Sequence, residues 1–263
     1  MKLQNKFFTL LMIGFLAVCS ASQMAYARKK QSTSEITLQK AKQGDAKAQR
    51  ALGFKYAAGK GVKQDYVVAI KWYRLAAAQG DAEGQFKLGT MYQYGQGVTQ
   101  DYAEAIKWYR LAAAQGNVGG HLFLGNMYYS GQGVTQNYAE AIKWYRLAAA
   151  QGDAKAQYYI GVMYYNGQGV TQDYAEAIKW YRLAAAQGDV KAQYNIGFMY
   201  YKGQGGIKDY VRAHMWANLA AVHGGADAVK NRNELASKMT PQQLEKAQKM
   251  ARACQAKNFK NCD

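Results

Sequence analysis

Acidic side chains, cysteines and long apolar runs are all scarce in this chain. Asp and Glu number 17 against 34 Lys and Arg, which gives a formal net charge of +17. Such an excess suits anionic glycan, lipid headgroups or nucleic acid as partners, but a plain soluble basic surface is the favoured interpretation. Beyond the apolar stretch at residues 7–21, no run is long enough to predict a transmembrane helix.

The apolar stretch has the features of a secretory leader. It follows a short basic segment, residues 1–6, and is too short to span a bilayer comfortably. Residues 25–27, Ala-Tyr-Ala, then supply the small-x-small pattern of a cleavage site. We therefore predict a signal peptide over residues 1–27 and export across the inner membrane, to the periplasm or the cell surface. Lipidation of Cys19 is a weaker interpretation than soluble export, because a lipidated cysteine normally follows a small residue and Val18 is not small.

Cleavage after residue 27 leaves only two cysteines, Cys254 and Cys262. In an oxidising compartment an isolated pair eight residues apart predicts a small disulfide. Its spacing matches no metal motif, and no metal or other cofactor is predicted. Export also makes nucleic acid the least expected of the anionic partners.

One regular feature dominates the chain, because every tryptophan lies 36 residues from the next. A glycine series from Gly44 and a tyrosine series from Tyr56 keep the same step. A fixed period of this length is typical of stacked supersecondary units, which mostly serve as binding surfaces. The tryptophans are Trp72, Trp108, Trp144, Trp180 and Trp216.

Each unit reads as a pair of helices, as residues 153–188 illustrate. Asp153 and Asp173 are placed to cap helices over 154–165 and 174–187. Gly188 is placed to end the second helix in the left-handed conformation. Gly161 lies inside the first helix and costs about 1 kcal/mol relative to alanine. We therefore expect the backbone of another helix to approach closely at this glycine.

The repeated residues resemble the Sel1-like repeat, a relative of the tetratricopeptide repeat. The resemblance implies an all-α, right-handed α/α superhelical solenoid of about five 36-residue helix-turn-helix repeats with helical caps. It also implies that the first helices line a concave surface and that a protein or peptide is the partner. The residues that carry it in one unit are Leu88-Gly89, Gly95-Gln96-Gly97-Val98, Asp101, Ala105, Trp108-Tyr109, Ala112-Ala113 and Gly116.

The repeats divide the chain into four parts. After the leader, residues 28–43 are predicted to form a linker and capping helix. Residues 225–263 are predicted to form C-terminal capping helices and the cysteine-containing tail, with Thr240 and Pro241 as a helix start. Between them lie five repeats, at 44–79, 80–115, 116–151, 152–187 and 188–224.

The sequence offers no catalytic constellation. An identical 15-residue segment occurs at 102–116, 138–152 and 174–188, and three interchangeable modules are a poor setting for an asymmetric active site. The glycine loops lack the Lys-Ser/Thr of a phosphate cradle, and His121, His214 and His223 share no repeat position. We predict no enzyme activity. The alternative is a β-lactamase-like or penicillin-binding activity, as in a cysteine-rich branch of the family, but residues 44–224 contain no cysteine.

Positions that vary between near-identical repeats mark the predicted partner surface. On the first helices these positions share one helical face, which we call the first-helix face. A row of tyrosines adds contact area there, and tyrosine is enriched at binding hot spots. Packing against neighbouring helices is the competing reading for that row, whereas exposure is favoured for Phe123 and Tyr159. The first-helix face comprises Lys87, Thr90, Tyr94, Phe123, Asn126, Tyr129, Tyr159, Val162, Tyr165, Asn195, Phe198 and Tyr201.

The second helices carry a row of basic side chains, which we call the basic ridge. A solvated outer surface is the plainer interpretation, and contact with anionic glycan or lipid is the alternative. Its members are Lys71, Arg74, Lys107, Arg110, Lys143, Arg146, Lys179 and Arg182.

Taken together, these patterns predict an exported, non-catalytic repeat scaffold. It would mediate protein–protein interaction in the cell envelope or at the interface with a host cell, with adhesion or invasion as one form of that role. The sequence names no partner.

Overall fold

A computed structural model describes residues 35–222 and 226–257, together with residues 259 and 262. Within these residues all regular secondary structure is helical, and no strand occurs. The predicted signal peptide, Cys19 and His223 lie outside the described residues.

The helices follow one another in pairs, separated by short turns and glycine loops. Helix α1 covers residues 35–42. The remaining helices are α2 (Ala46–Ala58), α3 (Tyr66–Ala78), α4 (Ala82–Tyr94), α5 (Tyr102–Ala114), α6 (Val118–Ser130), α7 (Tyr138–Ala150), α8 (Ala154–Asn166), α9 (Tyr174–Ala185), α10 (Val190–Lys202), α11 (Tyr210–Val222), α12 (Ala226–Ala236) and α13 (Pro241–Ala256).

The chain forms two compact units, divided after Gln100. In the first unit α3 packs against both α2 and α4. In the second unit each helix from α6 to α11 packs against its predecessor and its successor, and both α12 and α13 pack against α11.

Side-chain caps fix the helix starts where the sequence predicts them. The Asp153 carboxylate accepts the Ala156 amide at 2.8 Å, and the Asp173 carboxylate accepts the Glu176 amide at 2.9 Å. Gly188 adopts the left-handed conformation, with φ of 85°. Helix α9 ends at Ala185, two residues before the predicted end. The caps and the terminating glycine are therefore confirmed.

In the first four repeats the second helix contributes alanines, one isoleucine and one tyrosine to the core. In α9 these buried residues include Ala177, Ile178 and Tyr181. Facing them, α8 and α10 contribute the buried Ile160 and Ile196. Small alanines let neighbouring helices approach closely, and the isoleucines and tyrosines fill the space that remains.

The expectation for Gly161 is wrong in one respect. The group that approaches this glycine is the ring of Tyr181, not a helix backbone, because a Cβ at position 161 would lie 2.6 Å from two carbons of that ring. Backbone does approach at Gly197, where the carbonyl oxygen of Ala213 lies 3.1 Å from a Cβ position. The difference arises because Ala217 occupies the position that Tyr181 has in the preceding repeat.

In every loop after the first, the second glycine has a role that the sequence does not reveal. Gly169 has φ of 70°, and a Cβ there would lie 2.5 Å from the carbonyl carbon of Tyr138. The loop therefore rests directly on the start of the preceding second helix, α7. Only glycine permits both this close approach and this backbone conformation.

The C-terminal end has the predicted cap. Thr240 and Gln243 form a reciprocal capping box at the start of α13, with Pro241 in the first turn. In the structure Cys254 and Cys262 are joined by a disulfide, with Cα atoms 4.8 Å apart. Among the described helices, none combines the length and apolar character needed to cross a membrane.

Candidate functional site

The residues of the first-helix face are all at least partly accessible to solvent. Tyr94 is the most open of its large apolar side chains, with 57% of its surface exposed. The other members are half-buried. In the first unit Lys87 is paired with Glu83 at 3.2 Å. The remaining nine members, from Phe123 to Tyr201, belong to the second unit.

Phe123 and Tyr159 are more tightly packed than the sequence suggests. The ring of Tyr159 stacks on buried Tyr145, with centroids 5.2 Å apart and planes 10° from parallel. The ring of Phe123 packs on buried Tyr109 with centroids 5.4 Å apart and planes tilted by 48°. Alanine at both positions would therefore remove core contacts along with surface, so this pair is a poor probe of binding alone.

The tyrosine row both packs and reaches the surface. The Tyr129 hydroxyl donates to Oε1 of Gln168 at 3.1 Å, and the Tyr165 hydroxyl donates to Oε1 of Gln204 at 3.2 Å. Each bond ties a first helix to the loop of the next repeat. Three rings of the row remain half-exposed beside these bonds, so they offer aromatic surface in fixed positions.

Buried tyrosines of the second helices support this face from below. The Tyr145 hydroxyl donates to Oδ1 of Asn126 at 2.8 Å, and burial raises the pKa of Tyr145 far above its usual value. Burial likewise raises the pKa of Tyr73 to about 12. Both hydroxyls stay protonated at physiological pH, so they act as hydrogen-bond donors within the scaffold.

Two adjoining cavities open on the faces of α8, α10 and α12. The first, of about 440 Å³ including its open mouth, is lined by five side chains: Tyr165, Tyr181, Tyr194, Asn195 and Phe198. The second, of about 600 Å³, shares Tyr194 and Phe198 and extends to Tyr201, Lys202 and Leu235. Both have the mixed aromatic and polar lining that is typical of ligand sites.

Three lysine side chains lie around Tyr201, which lines the second cavity. The ammonium groups of Lys202, Lys208 and Lys238 lie 5.5, 5.2 and 5.1 Å from the centre of the Tyr201 ring. Glu234 pairs with Lys238 at 2.7 Å and is the main reason that the pKa of this lysine is raised. Three positive charges and one negative charge therefore lie close to one aromatic ring.

The basic ridge is engaged in contacts within the protein. Lys107, Lys143 and Lys179 are exposed, and each pairs with the glutamate three residues before it, at 2.8–3.0 Å. Val68 stands at the glutamate position before Lys71. Surface pairs of this kind contribute little to stability and remain open to competition.

The arginines of the ridge form a tie between repeats that sequence reasoning missed. Each donates to the hydroxyl of a tyrosine 18 residues later, which lies on the next first helix. The sequence does show that this arginine and this tyrosine each recur every 36 residues, always 18 residues apart. The pairs are Arg74 with Tyr92, Arg110 with Tyr128, Arg146 with Tyr164 and Arg182 with Tyr200, at 2.8–2.9 Å.

His121 occupies a structural position. Gln49, Gln85, Gln157 and Gln193 stand at the same place in the other repeats, and all are buried. Nδ1 of His121 lies 3.2 Å from Nε2 of Gln151, and the ring stacks on Trp144. Its other partner is the backbone of Ala113, and Gln85 makes the same type of bond to Ala77. The neutral ring therefore replaces a glutamine amide.

Replacing His121 with glutamine is expected to remove part of the acid sensitivity of the fold. Burial lowers the pKa of His121 below its usual value of about 6.5. The unfolded chain therefore takes up a proton before the folded chain does, and stability falls as pH decreases below that value. Thermal unfolding at pH 7.5 and pH 5.0 should show a smaller drop for H121Q than for the wild type. Equal drops would contradict this assignment.

No group of three potential metal-ligating side chains occurs among the residues that the structure describes. His214 is buried in α11, where burial and the nearby Arg232 lower its pKa. Its Nδ1 atom has no hydrogen-bond partner in the described part of the chain. Both described histidines are thus enclosed in the fold.

Comparison with known proteins agrees with the helix-pair architecture. The Sel1 repeat model matches residues 46–81, 82–117, 120–153, 154–189 and 190–224. A Sel1 repeat protein from Oxalobacter formigenes, of known crystal structure, is 36% identical with a TM-score of 0.69, over 80% of this chain and 89% of that chain. The protective antigen c5321 of uropathogenic Escherichia coli, which displays an SLR fold, is 28% identical with a TM-score of 0.46, over 87% and 65%. No curated protein matches the sequence. The match to the Sel1 repeat model and the similarity to the Oxalobacter formigenes structure confirm the predicted all-α solenoid.

Proposed function

The chain belongs to the Sel1 repeat family, whose members are commonly protein-interaction scaffolds and generally non-catalytic, and on that premise we propose that it binds a protein partner. The binding surface in this proposal is the first-helix face of the second unit, residues 101–263. The chain contributes contact area and orientation and performs no reaction of its own.

The observation that carries this proposal is the contrast between the two helices of each repeat. The second helices α5, α7 and α9 have the same amino-acid sequence, from their first tyrosine to the alanines at their end. The first helices α6, α8 and α10 differ in sequence on their accessible face. The variable positions there include Phe123, Tyr159 and Asn195. Variation on an aromatic, half-exposed face suits recognition of one asymmetric partner.

The basic ridge supports an anionic-surface function less well. Its arginines already hydrogen-bond to tyrosines, and three of its lysines are neutralised by glutamates on the same helix. Binding to heparin or anionic vesicles that persists at physiological salt would favour that alternative, because weak surface attraction is screened there.

We further propose that the protein acts outside the inner membrane, in the envelope or in contact with host cells, including adhesion. The leader-like residues 1–27 and the Cys254–Cys262 disulfide support this location. Mass spectrometry of the mature protein should find Arg28 as the first residue. An intact Met1 start in fractionated cells would contradict export.

Two matched double variants test the interaction surface. Ser130→Glu with Asn166→Glu changes exposed positions of α6 and α8 that correspond to Tyr94 of the first-helix face. Lys143→Gln with Lys179→Gln changes the ridge. Each pair lowers the net charge by the same amount. In crosslinking capture from living cells, with host-cell material included, the first pair should reduce partner recovery by about tenfold. The second pair should leave recovery unchanged. Loss with the ridge pair alone would transfer the function to the ridge.

A further inference from the structure

The ring of Tyr159 has a well-defined set of aromatic neighbours. It stacks on Tyr145 at 5.2 Å, meets Tyr158 edge-on at 5.5 Å and lies 6.1 Å from Tyr129. Tyr129, Tyr145 and Tyr158 therefore form three sides of a site that Tyr159 itself fills. Offset-stacked and edge-to-face arrangements at these distances are the favourable geometries for aromatic pairs.

The same site recurs one repeat later without its ring. The residues 36 positions after the three neighbours are Tyr165, Tyr181 and Tyr194, but position 195 is asparagine. These three tyrosines, with Asn195 and Phe198, line the cavity of about 440 Å³ described above. The cavity thus occupies the place of the missing ring.

Hydrogen bonds hold the walls of this cavity in position. The Asn195 side chain is hydrogen-bonded to the side chains of Tyr158 and Tyr181. Tyr165 is fixed by its bond to Gln204. Tyr194 accepts from Nδ2 of Asn231 on α12 at 3.0 Å. Because these phenols have their own partners, the walls are preorganised for a ring.

We propose that this cavity, the vacant ring site, binds an aromatic side chain from an acidic segment of the partner protein. The proposal rests on the scaffold function and names the chemistry that the scaffold recognises. The incoming ring would lie against Tyr194, as Tyr159 lies against Tyr158, with buried Tyr181 as the floor of the site.

The charges on the side of the site next to Tyr201 favour an acidic partner, while Lys191 and Asp227 beside Asn195 offset each other. The adjoining cavity shares Tyr194 and Phe198 with the vacant ring site and carries Lys202. Lys208 and Lys238 lie at the same end, around Tyr201, and Glu234 is already paired with Lys238. A carboxylate next to the inserted ring would meet this excess of positive charge.

The direct test is a peptide titration of the mature protein, followed by NMR of the Asn195 side-chain amide. The probes are blocked pentapeptides Gly-Glu-X-Glu-Gly with X as Tyr or Leu, and a version of the Tyr peptide with Lys flanks. The Tyr peptide should shift the Asn195 amide and bind about tenfold more tightly than the other two. Equal binding of the Leu peptide, or no binding of the Tyr peptide, would overturn the ring site. Equal binding of the Lys-flanked peptide would overturn the acidic partner.

Two variants make the test specific to the cavity. Asn195→Tyr supplies the missing ring from the chain itself, so it should block the peptide while the thermal midpoint stays at or above that of the wild type. Tyr159→Asn creates a second vacant site between Tyr129, Tyr145 and Tyr158, so the number of bound peptides should rise from one to two. Unchanged binding in N195Y, or no second site in Y159N, would contradict the inference even if the other variant failed to fold.

Failure of this inference is distinguishable from failure of the scaffold proposal. If N195Y captures the cellular partner as well as the wild type does, while the Ser130 and Asn166 variants do not, the scaffold stands and the ring site falls. If the Tyr peptide binds at the cavity and no protein is captured from cells, the ring site stands and the scaffold role falls.

Discussion

Trp216→Ala is expected to lower the free energy of unfolding by about 3–5 kcal/mol, the cost of removing a fully enclosed large side chain. Trp216 is 1% exposed and packs in a cluster with Met199, Met215 and Leu219. Its indole fills space that the surrounding helices cannot close without moving. Urea unfolding of the variant, followed by far-UV circular dichroism, measures the loss.

Trp180→Ala is the matched control, because the two tryptophans hold the same repeat position. Trp180 is only half-buried, and its indole N–H is buried without a hydrogen-bond partner in the described residues. Removing this donor relieves a desolvation cost while it removes apolar contacts. We expect a loss about half as large as that of Trp216→Ala. Equal losses in the two variants would show that the fifth repeat has no special packing.

Gly161→Ala is expected to destabilise the fold by about 3 kcal/mol, although alanine is the better helix former. The new methyl would lie 2.6 Å from the ring of Tyr181, which is 1% exposed. Because the ring is almost fully buried, the new contact is relieved only by a shift of α8 relative to α9. Thermal unfolding compared with the wild type would detect this as a large decrease in the midpoint.

Gly206→Ala is the control for this substitution. A Cβ at position 206 meets nothing within 4 Å, and the residue has no positive φ. Its effect should stay within about 0.5 kcal/mol. A Gly161→Ala variant as stable as the Gly206→Ala variant would mean that the Tyr181 ring does not require glycine at position 161.

Periodicity carried most of the fold prediction, because each local signal was repeated in register. The caps at Asp153 and Asp173 and the left-handed Gly188 depend on neighbours within a few residues, so one unit sufficed to place them. The sequence does not predict the end of α9, because hydrogen bonds between residues three apart replace the α-helical pattern before Gly188.

Contacts between repeats were harder to predict from sequence. The bond from Arg146 to Tyr164 joins two helices whose relative rotation the period does not give. The packing of Phe123 and Tyr159 on buried tyrosines depends on that same rotation. Their variation between repeats therefore does not show how far each ring is buried.

The vacant ring site shows why a list of variable positions was insufficient. From the sequence alone, Asn195 is one of several residues that vary between repeats. Only the positions of Tyr165, Tyr181 and Tyr194 show that this asparagine replaces a ring and leaves a cavity. The asymmetry between repeats four and five is thus a three-dimensional feature.

Site-specific photo-crosslinking in living cells tests the central claim most directly. A photoreactive residue is placed either at exposed position 166 of α8, which corresponds to Tyr94 of the first-helix face, or at position 143, on the ridge of α7. The first-helix account predicts a specific protein adduct at 166 and none at 143. An adduct at 143 with none at 166 would contradict it and assign the partner to the outer surface of the second helices.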